Sequence, residues 1–286
     1  TEKYARVERA ENKTLALEIK GFGRVNPARS IQVAPEVAGI VVKGSIPIKQ
    51  GLNFRKGQLL FKIDDREASL SLKARKSSFL NLMAGALADV KIDYPESYDK
   101  WLAFFNNLDV EKTFPELPKM ESSQEKTFLA SRNILGEYYT IKKDEIRLSK
   151  YSVYAPFNGY YAQVMQQEGA FAGMGTPIAT LSQDSDLEVI IPIENNNARI
   201  VQEGMRVHLL HKSDGKQWDG TIKRIEQQIN ANTQSINVYA VPLKKSEELL
   251  AGMYLETTIF AGMKDNCMKI PRKAMVNEQE ILVVRD

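Results

Sequence analysis

The apolar positions of this 286-residue chain change period along its length. From Arg66 to Val90 they recur at helical spacing, at Leu70, Ala74, Leu80, Met83, Ala86, Leu87 and Val90, with no proline or glycine before Gly85. Steps of three and four residues put such side chains on one face of a helix. Glu121 to Lys150 repeats the pattern through Phe128, Leu135, Tyr138, Ile141, Ile146 and Leu148. Two helices of about 25–30 residues would each reach roughly 40 Å, and the simplest partner for each is the other, antiparallel in a hairpin. After Leu181 the period falls towards two, with Leu187, Val189, Ile191 and Ile193 alternating with Glu188, Ile190 and Pro192. The later runs Arg206–Leu210, Thr221–Ile225, Ser235–Val241 and Tyr254–Ile259 predict short strands of a small antiparallel barrel. The tail, Met268–Val284, predicts a further strand pair around Pro271, set to pair with N-terminal strands near Tyr4–Val25.

The helical stretches interrupt an internal repeat. One copy runs Ala34-Pro35, Gly39, Gly51-Leu-Asn-Phe-Arg-Lys-Gly57, then Leu60 and Ile63. The other runs Ala155-Pro156-Phe-Asn-Gly159, Gly169-Ala-Phe-Ala-Gly-Met-Gly175, then Ile178 and Leu181. Both pair glycines six apart and follow them with an aliphatic residue three places on and another after three more. Glycine takes positive φ at little cost, so these pairs mark sharp turns between short strands. The whole string agrees twice, which makes it a repeat and not two unrelated turns. A two-part β module is thus split by a helical arm.

Composition narrows the function. Lys plus Arg number 39 against 36 Asp plus Glu, far from the basic excess of a nucleic-acid binder. Cys267 is the single cysteine, which excludes an internal disulfide framework or a cysteine-based zinc site. The longest nearly uncharged stretch, Ser77–Asp89, is too short for the roughly 20 apolar residues of a membrane helix, so the sequence reads as a soluble chain.

Several motifs could in principle carry chemistry. His208 and His211, the only histidines, fall on a predicted strand where odd spacing sends them to opposite faces, and metal binding would need further ligands. Gly21-Phe-Gly23 lacks the third glycine of a dinucleotide fingerprint, and no phosphate loop is present. Asp64-Asp65 closes a strand and opens a helix, where acidic residues suit the helix dipole, and reads as a cap. No catalytic, cofactor-binding or metal residues are assigned, and no cofactor is expected.

In this order the residues resemble the periplasmic adaptor (membrane fusion) proteins of resistance-nodulation-division efflux pumps, within a superfamily of secretion adaptors. Ala155-Pro-Phe-Asn-Gly159 with Gly169 and Gly175 carries the likeness best, joined by Gly39, Gly51, Gly57 and Ile63-Asp64. Glu203-Gly204-Met-Arg-Val207, Gly220-Thr-Ile222, Ala251-Gly252-Met253 and Ile270-Pro271-Arg-Lys-Ala274 extend it over almost the whole chain. The resemblance implies an elongated, mainly β fold with an α-helical hairpin. It holds a split biotinyl/lipoyl-like β-sandwich, an antiparallel β-barrel and a partial membrane-proximal β domain. The expected boundaries are 1–30 for the N-terminal part of the membrane-proximal domain, 31–65 and 151–182 for the sandwich halves, and 66–150 for the hairpin with an irregular apex at 91–120. The barrel follows at 183–264, and the rest of the membrane-proximal domain at 265–286. Gly39, Gly51, Gly57, Pro156, Gly159, Gly169, Gly175, Gly204 and Gly252 would be the fold's turns.

The implied role is non-catalytic. The adaptor would sit in the periplasm of a Gram-negative bacterium and link a proton-driven inner-membrane transporter to an outer-membrane channel. It would associate with itself as a trimer or hexamer, bind no nucleic acid, and reach the membrane through an N-terminal anchor that this chain does not carry. Adaptors of ATP-driven exporters or type I secretion systems share every feature. A biotinyl or lipoyl carrier is the distant alternative, because Lys62 lies within a closing strand and not on a hairpin between the halves.

The family's docking tip often carries Arg, Leu and Ser, but Arg147-Leu148-Ser149 falls at the base of the returning helix. The apex instead holds Tyr98, Trp101, Phe104 and Phe105. These rings are either an exposed partner anchor or the buried side of a short helix over Glu96–Leu108, and large aromatics favour burial.

Overall fold

The computed structural model describes residues 11–244, 248–270, 274–277, 280, 281 and 283. The chain forms two units, one of Arg29–Asp184 and one that joins the segments before and after it. Strand β1 (Lys13–Pro27) belongs to the second of these.

In the Arg29–Asp184 unit, the first half of the repeat supplies β2 (Ser30–Val33), β3 (Gly39–Lys43), β4 (Asn53–Phe54) and β5 (Leu59–Ile63). The second half supplies β6 (Ser152–Tyr154), β7 (Gly159–Val164), β8 (Phe171–Ala172) and β9 (Ala179–Gln183). The two sheets run β2-β9-β7-β4 and β6-β5-β3-β8. Exchanging every strand for its counterpart turns one order into the other, so the sequence repeat is a pseudo-two-fold in space. Each sheet draws two strands from each half. Leu60, Ile63, Ile178 and Leu181, the aliphatic positions after the glycine pairs, are fully buried between the sheets with Val41, Phe61 and Tyr161. Neither half could cover these side chains alone.

The arm leaves from β5 and returns into β6, its neighbour in the same sheet. Helix α1 (Arg66–Asp93) buries Leu72, Phe79, Met83, Ala86, Leu87 and Val90. This face is rotated from the expected one: Leu70 is 67% exposed and Ala74 is also exposed, while Lys76 takes an inward position. The returning stretch is two helices, α3 (Ser123–Ser131) and α4 (Ile134–Ser149), broken where Asn133 turns left-handed at φ 58°. Asparagine tolerates that conformation better than most residues. Gly136 leaves room for the Asn133 side chain, whose Oδ1 would lie 2.5 Å from a Cβ there.

The expected irregular apex is largely a helix, α2 (Pro95–Asn106), with proline in its first turn where a missing N–H costs nothing. It doubles back along α1. Phe104 packs 6.3 Å from the ring of Tyr138, and Tyr138 lies 6.4 Å from Phe79, midway along α1. Phe114 lies beside Phe79 and Lys76. The arm is therefore the expected helical hairpin, with α2 and the segment around Phe114 folded against it to complete a core of its own.

The other unit is a closed barrel of order β1-β10-β13-β12-β11-β14. Its strands are β10 (Leu187–Glu194), β11 (Arg206–His211), β12 (Lys216–Ile225), β13 (Ser235–Pro242) and β14 (Tyr254–Cys267), with a short helix α5 (Asn195–Ala198) after β10. Val25, Val189, Ile191, Leu209, Val238, Leu255 and Ile259 fill it, and Gly23 leaves room for Val189, whose Cγ1 would lie 2.6 Å from a Cβ there. The expectation that residues 1–30 belong to a membrane-proximal domain thus fails for 13–27. β1 pairs with both β10 and β14, closing the barrel and sealing its edges. The barrel also runs past residue 264, since β14 continues to Cys267. Beyond it the described residues show one bridge, Met275 to Ile281; residues 1–10 and Pro271–Lys273 lie outside the described residues.

Candidate partner-contact surfaces

The turn glycines set the frame that presents every surface of the Arg29–Asp184 unit. Gly51 and Gly57 have φ of 82° and 79°, and their counterparts Gly169 and Gly175 have 84° and 78°. Their amides tie the halves together crosswise. Gly51 N–H donates to Tyr161 carbonyl and Gly169 N–H to Val41 carbonyl, each at 2.8 Å. Gly57 N–H donates to Ala155 carbonyl at 2.8 Å and Gly175 N–H to Pro35 carbonyl at 2.9 Å. Gly39 and Gly159 work by closeness instead: a Cβ would meet Ile63 Cγ2 at 2.6 Å and Ser182 carbonyl oxygen at 2.1 Å. Pro156 sits exposed in the turn before Gly159, where Asn158 Oδ1 accepts the Lys56 amide at 2.8 Å. In the barrel, Gly204 and Gly252, at φ 85° and 97°, donate to Ile222 and Val25 carbonyls.

The matched turns present different chemistry. Between Gly51 and Gly57 the exposed side chains include Asn53, Arg55 and Lys56. Between Gly169 and Gly175 they are Phe171 and Met174, 69% and 76% exposed. Phe171 pairs with Ile40 across β3 and β8, and Ile40 is exposed too. The pseudo-two-fold in the backbone is therefore broken on the surface.

The apical aromatics are mainly internal. Trp101 is fully buried and Phe104 nearly so, while Tyr98 and Phe105 are half-buried against the arm core. An exposed anchor made of Trp101 and Phe104 is thereby corrected: α2 turns both rings inward, as its amphipathic spacing requires. Lys91 lies 5.6 Å over the Tyr98 ring.

Two buried polar clamps hold this fold-back, and sequence reading missed both. Trp101 Nε1–H donates to Glu125 Oε1 at 2.7 Å, Lys100 Nζ lies 2.9 Å from the same oxygen, and the Glu121 amide donates to Oε2 at 2.9 Å. Glu125 is 2% exposed. Burial pushes its carboxyl up, but those three donors outweigh it and bring the pKa down to about 2. Ser122 caps α3 by accepting the Glu125 amide, and the Ser-x-x-Glu spacing was a visible capping signal. In the second clamp, Lys76, 3% exposed, lies 2.7 Å from Glu145 Oε1 and donates to Lys112 carbonyl at 2.7 Å. The Phe114 amide donates to Glu145 Oε1 at 2.8 Å, and Lys142 Nζ to Phe114 carbonyl at 2.9 Å. Burial raises the Glu145 pKa, and the Lys76, Phe114 and Lys142 donors more than reverse that.

A groove of about 1070 Å³ opens at the base of the arm, where Ile40 and Tyr151 meet Leu70 of α1 and Arg147 and Leu148 of α4. Arg147 and Leu148 of the Arg147-Leu148-Ser149 triplet thus line this groove at the base of the arm, and the triplet is not a tip. Asp64 accepts two bonds from Arg66, Nε at 2.9 Å and Nη2 at 2.6 Å, and this hydrogen-bonded pairing lowers its pKa to about 2. It also accepts the Arg66 amide at 3.3 Å, so Asp64 and not Asp65 satisfies the helix start. Lys62 lies within β5, its Nζ 3.3 Å from Asp65.

The histidines serve local pairs. His208 Nδ1 lies 3.1 Å from Asp219 and His211 Nδ1 lies 2.7 Å from Asp214. Among the described residues no group of three or more His, Cys, Asp or Glu side chains is placed to hold a metal. No helix among them is long and apolar enough to cross a membrane.

No protein-family model matches the chain. It is 23% identical to multidrug export protein AcrE of Escherichia coli over 96% of this chain and 74% of that protein. It is 22% identical to multidrug efflux pump subunit AcrA of Escherichia coli, over 88% of this chain and 64% of that protein, so it spans just under two thirds of AcrA. Among solved structures, a MacA-MexA chimeric protein containing the Pseudomonas aeruginosa MexA alpha-hairpin domain aligns over 96% of this chain and 89% of that one. Its TM-score is 0.72 at 17% identity, a likeness of fold.

Proposed function

We propose that this chain is the periplasmic adaptor of a tripartite efflux pump, a non-catalytic connector between a proton-driven inner-membrane transporter and an outer-membrane channel. The order of its parts supports this best. A split sandwich carries a helical arm and is followed by a closed barrel, and relatives named for multidrug export align along nearly the whole chain.

The mechanics follow from that order. α1 has 28 residues, and at 1.5 Å per residue the arm reaches roughly 40 Å. The arm would contact the channel, and the barrel would grip the transporter. Several copies would close a conduit, each contact weak and the whole strong through multiplicity. Exported molecules would pass unchanged, driven by the transporter.

The test is affinity purification of the tagged full-length protein from gently solubilised, cross-linked envelopes, with mass spectrometry of its partners. Recovery of a proton-driven transporter together with an outer-membrane channel is the expected result. An ATP-driven exporter in place of the first would change the pump and keep the adaptor role. Soluble metabolic enzymes alone would sink the proposal.

A further inference from the structure

The groove at the base of the arm is lined by apolar side chains and by charged ones that are unequally committed. Ile40, Leu70 and Leu148 line it, and Leu70, with most of its surface open, is more exposed than apolar helix positions usually are. Two of its carboxylates are already taken, Asp64 by Arg66 and Asp144 by Arg75 at 3.1 Å. Arg147 and Lys143, on the same face of α4 one turn apart, are lining cations outside every ion pair among the described residues. Glu67, on α1, is the one lining carboxylate that is likewise outside every ion pair among the described residues.

A free cation pair beside exposed apolar side chains suits a ligand with an alkyl body and one anionic head. The groove is open to solvent along one side, and its space of about 1070 Å³ is enough to seat one alkyl chain. We propose that this groove binds an amphipathic organic anion, its chain on Ile40, Leu70 and Leu148 and its carboxylate or sulfate on Arg147 and Lys143. Bound there, the molecule would bridge α1, α4 and β3, and so fix the arm to the sandwich that carries it. The site is independent of the identity of the pump.

Dansylated undecanoate is a suitable probe, titrated into the whole protein while dansyl emission is followed. The expected result is saturable binding of one probe per chain. Affinity should fall roughly tenfold in Arg147→Glu, because a charge-assisted contact is lost and a repulsive one gained. Lys143→Glu and Leu70→Asp should weaken binding as well, with unchanged circular dichroism and melting, since all three side chains are exposed. The amine-ended analogue of the probe should bind more weakly than the acid. Non-saturable binding, unchanged affinity in both charge reversals, or equal binding of the amine would each overturn the assignment.

Discussion

Lys76 Nζ lies 2.7 Å from Glu145 Oε1, and both side chains are almost wholly withdrawn from solvent. The pair joins α1 to α4 and, through the Phe114 amide and the Lys112 carbonyl, pins the fold-back between them. Breaking a buried pair from one side strands a charge, whereas replacing both partners with apolar groups can be near neutral. Lys76→Met should therefore cost about 3 kcal/mol. The double variant Lys76→Met with Glu145→Leu should regain at least about 1 kcal/mol of that as coupling. Urea unfolding followed by Trp101 emission in a Trp218→Phe background would measure both, and strict additivity would refute the clamp.

Glu125 makes a prediction about pH. Its folded pKa, about 2, lies below the usual 4.5, so its contribution is complete above about pH 4.5 and is lost as pH falls towards 2. The arm should lose on the order of 3 kcal/mol from this group over that window. Glu125→Gln should be less stable at pH 6 and flatter between pH 5 and 2. Parallel pH profiles of the two proteins, read by thermal melting, would count against the clamp.

The matched glycines should behave as matched pairs. No atom lies within 4 Å of a Cβ built at Gly51 or Gly175, so substitution there tests backbone conformation alone. Gly51→Val and Gly175→Val should each cost about 1–3 kcal/mol, and Gly51→Asn clearly less, because asparagine accepts positive φ. Gly159→Ala should be worse than Gly51→Asn despite its small side chain, since the new methyl meets the Ser182 carbonyl. Differential scanning calorimetry ranks all four.

Excising residues 95–122 and bridging the gap should expose Phe79, Met83 and Tyr138, which α2 and Phe114 now help to cover. The shortened protein should bind a hydrophobic dye and lose helix beyond the excised length. Retention of the full α1 and α4 signal in circular dichroism, with no dye binding, would mean that the fold-back is ornamental.

Much of this architecture was readable from short patterns. The Gly-x5-Gly strings announced the split sandwich because each glycine has a local reason to be there, a positive φ or a close approach. The barrel strands showed in their alternation. The closing role of β1 was not readable, since its pairing to β14 joins the two ends of the barrel's chain and leaves no mark in either segment. The break at Asn133 looked like ordinary helix, because asparagine occurs in both settings. Trp101 and Phe104 were visible as an amphipathic set, while Glu125 beneath them announced itself only as a capping residue. Lys76 gave no sign of burial; its partners come from α4 and from the segment around Phe114.

The crosswise sandwich also imposes a schedule on synthesis. β3 and β5 can pair early, but β2 and β4 have no neighbours until residues 159–183 have been made, and β1 waits for β10 and can close the barrel only with β14 at its far end. Contacts of such long range form slowly. The arm, whose contacts lie within it, can mature first and draw the two halves towards each other. Nascent chains halted before β7 should therefore carry open strand edges and depend on holding chaperones, while the helical bundle inside them is already complete.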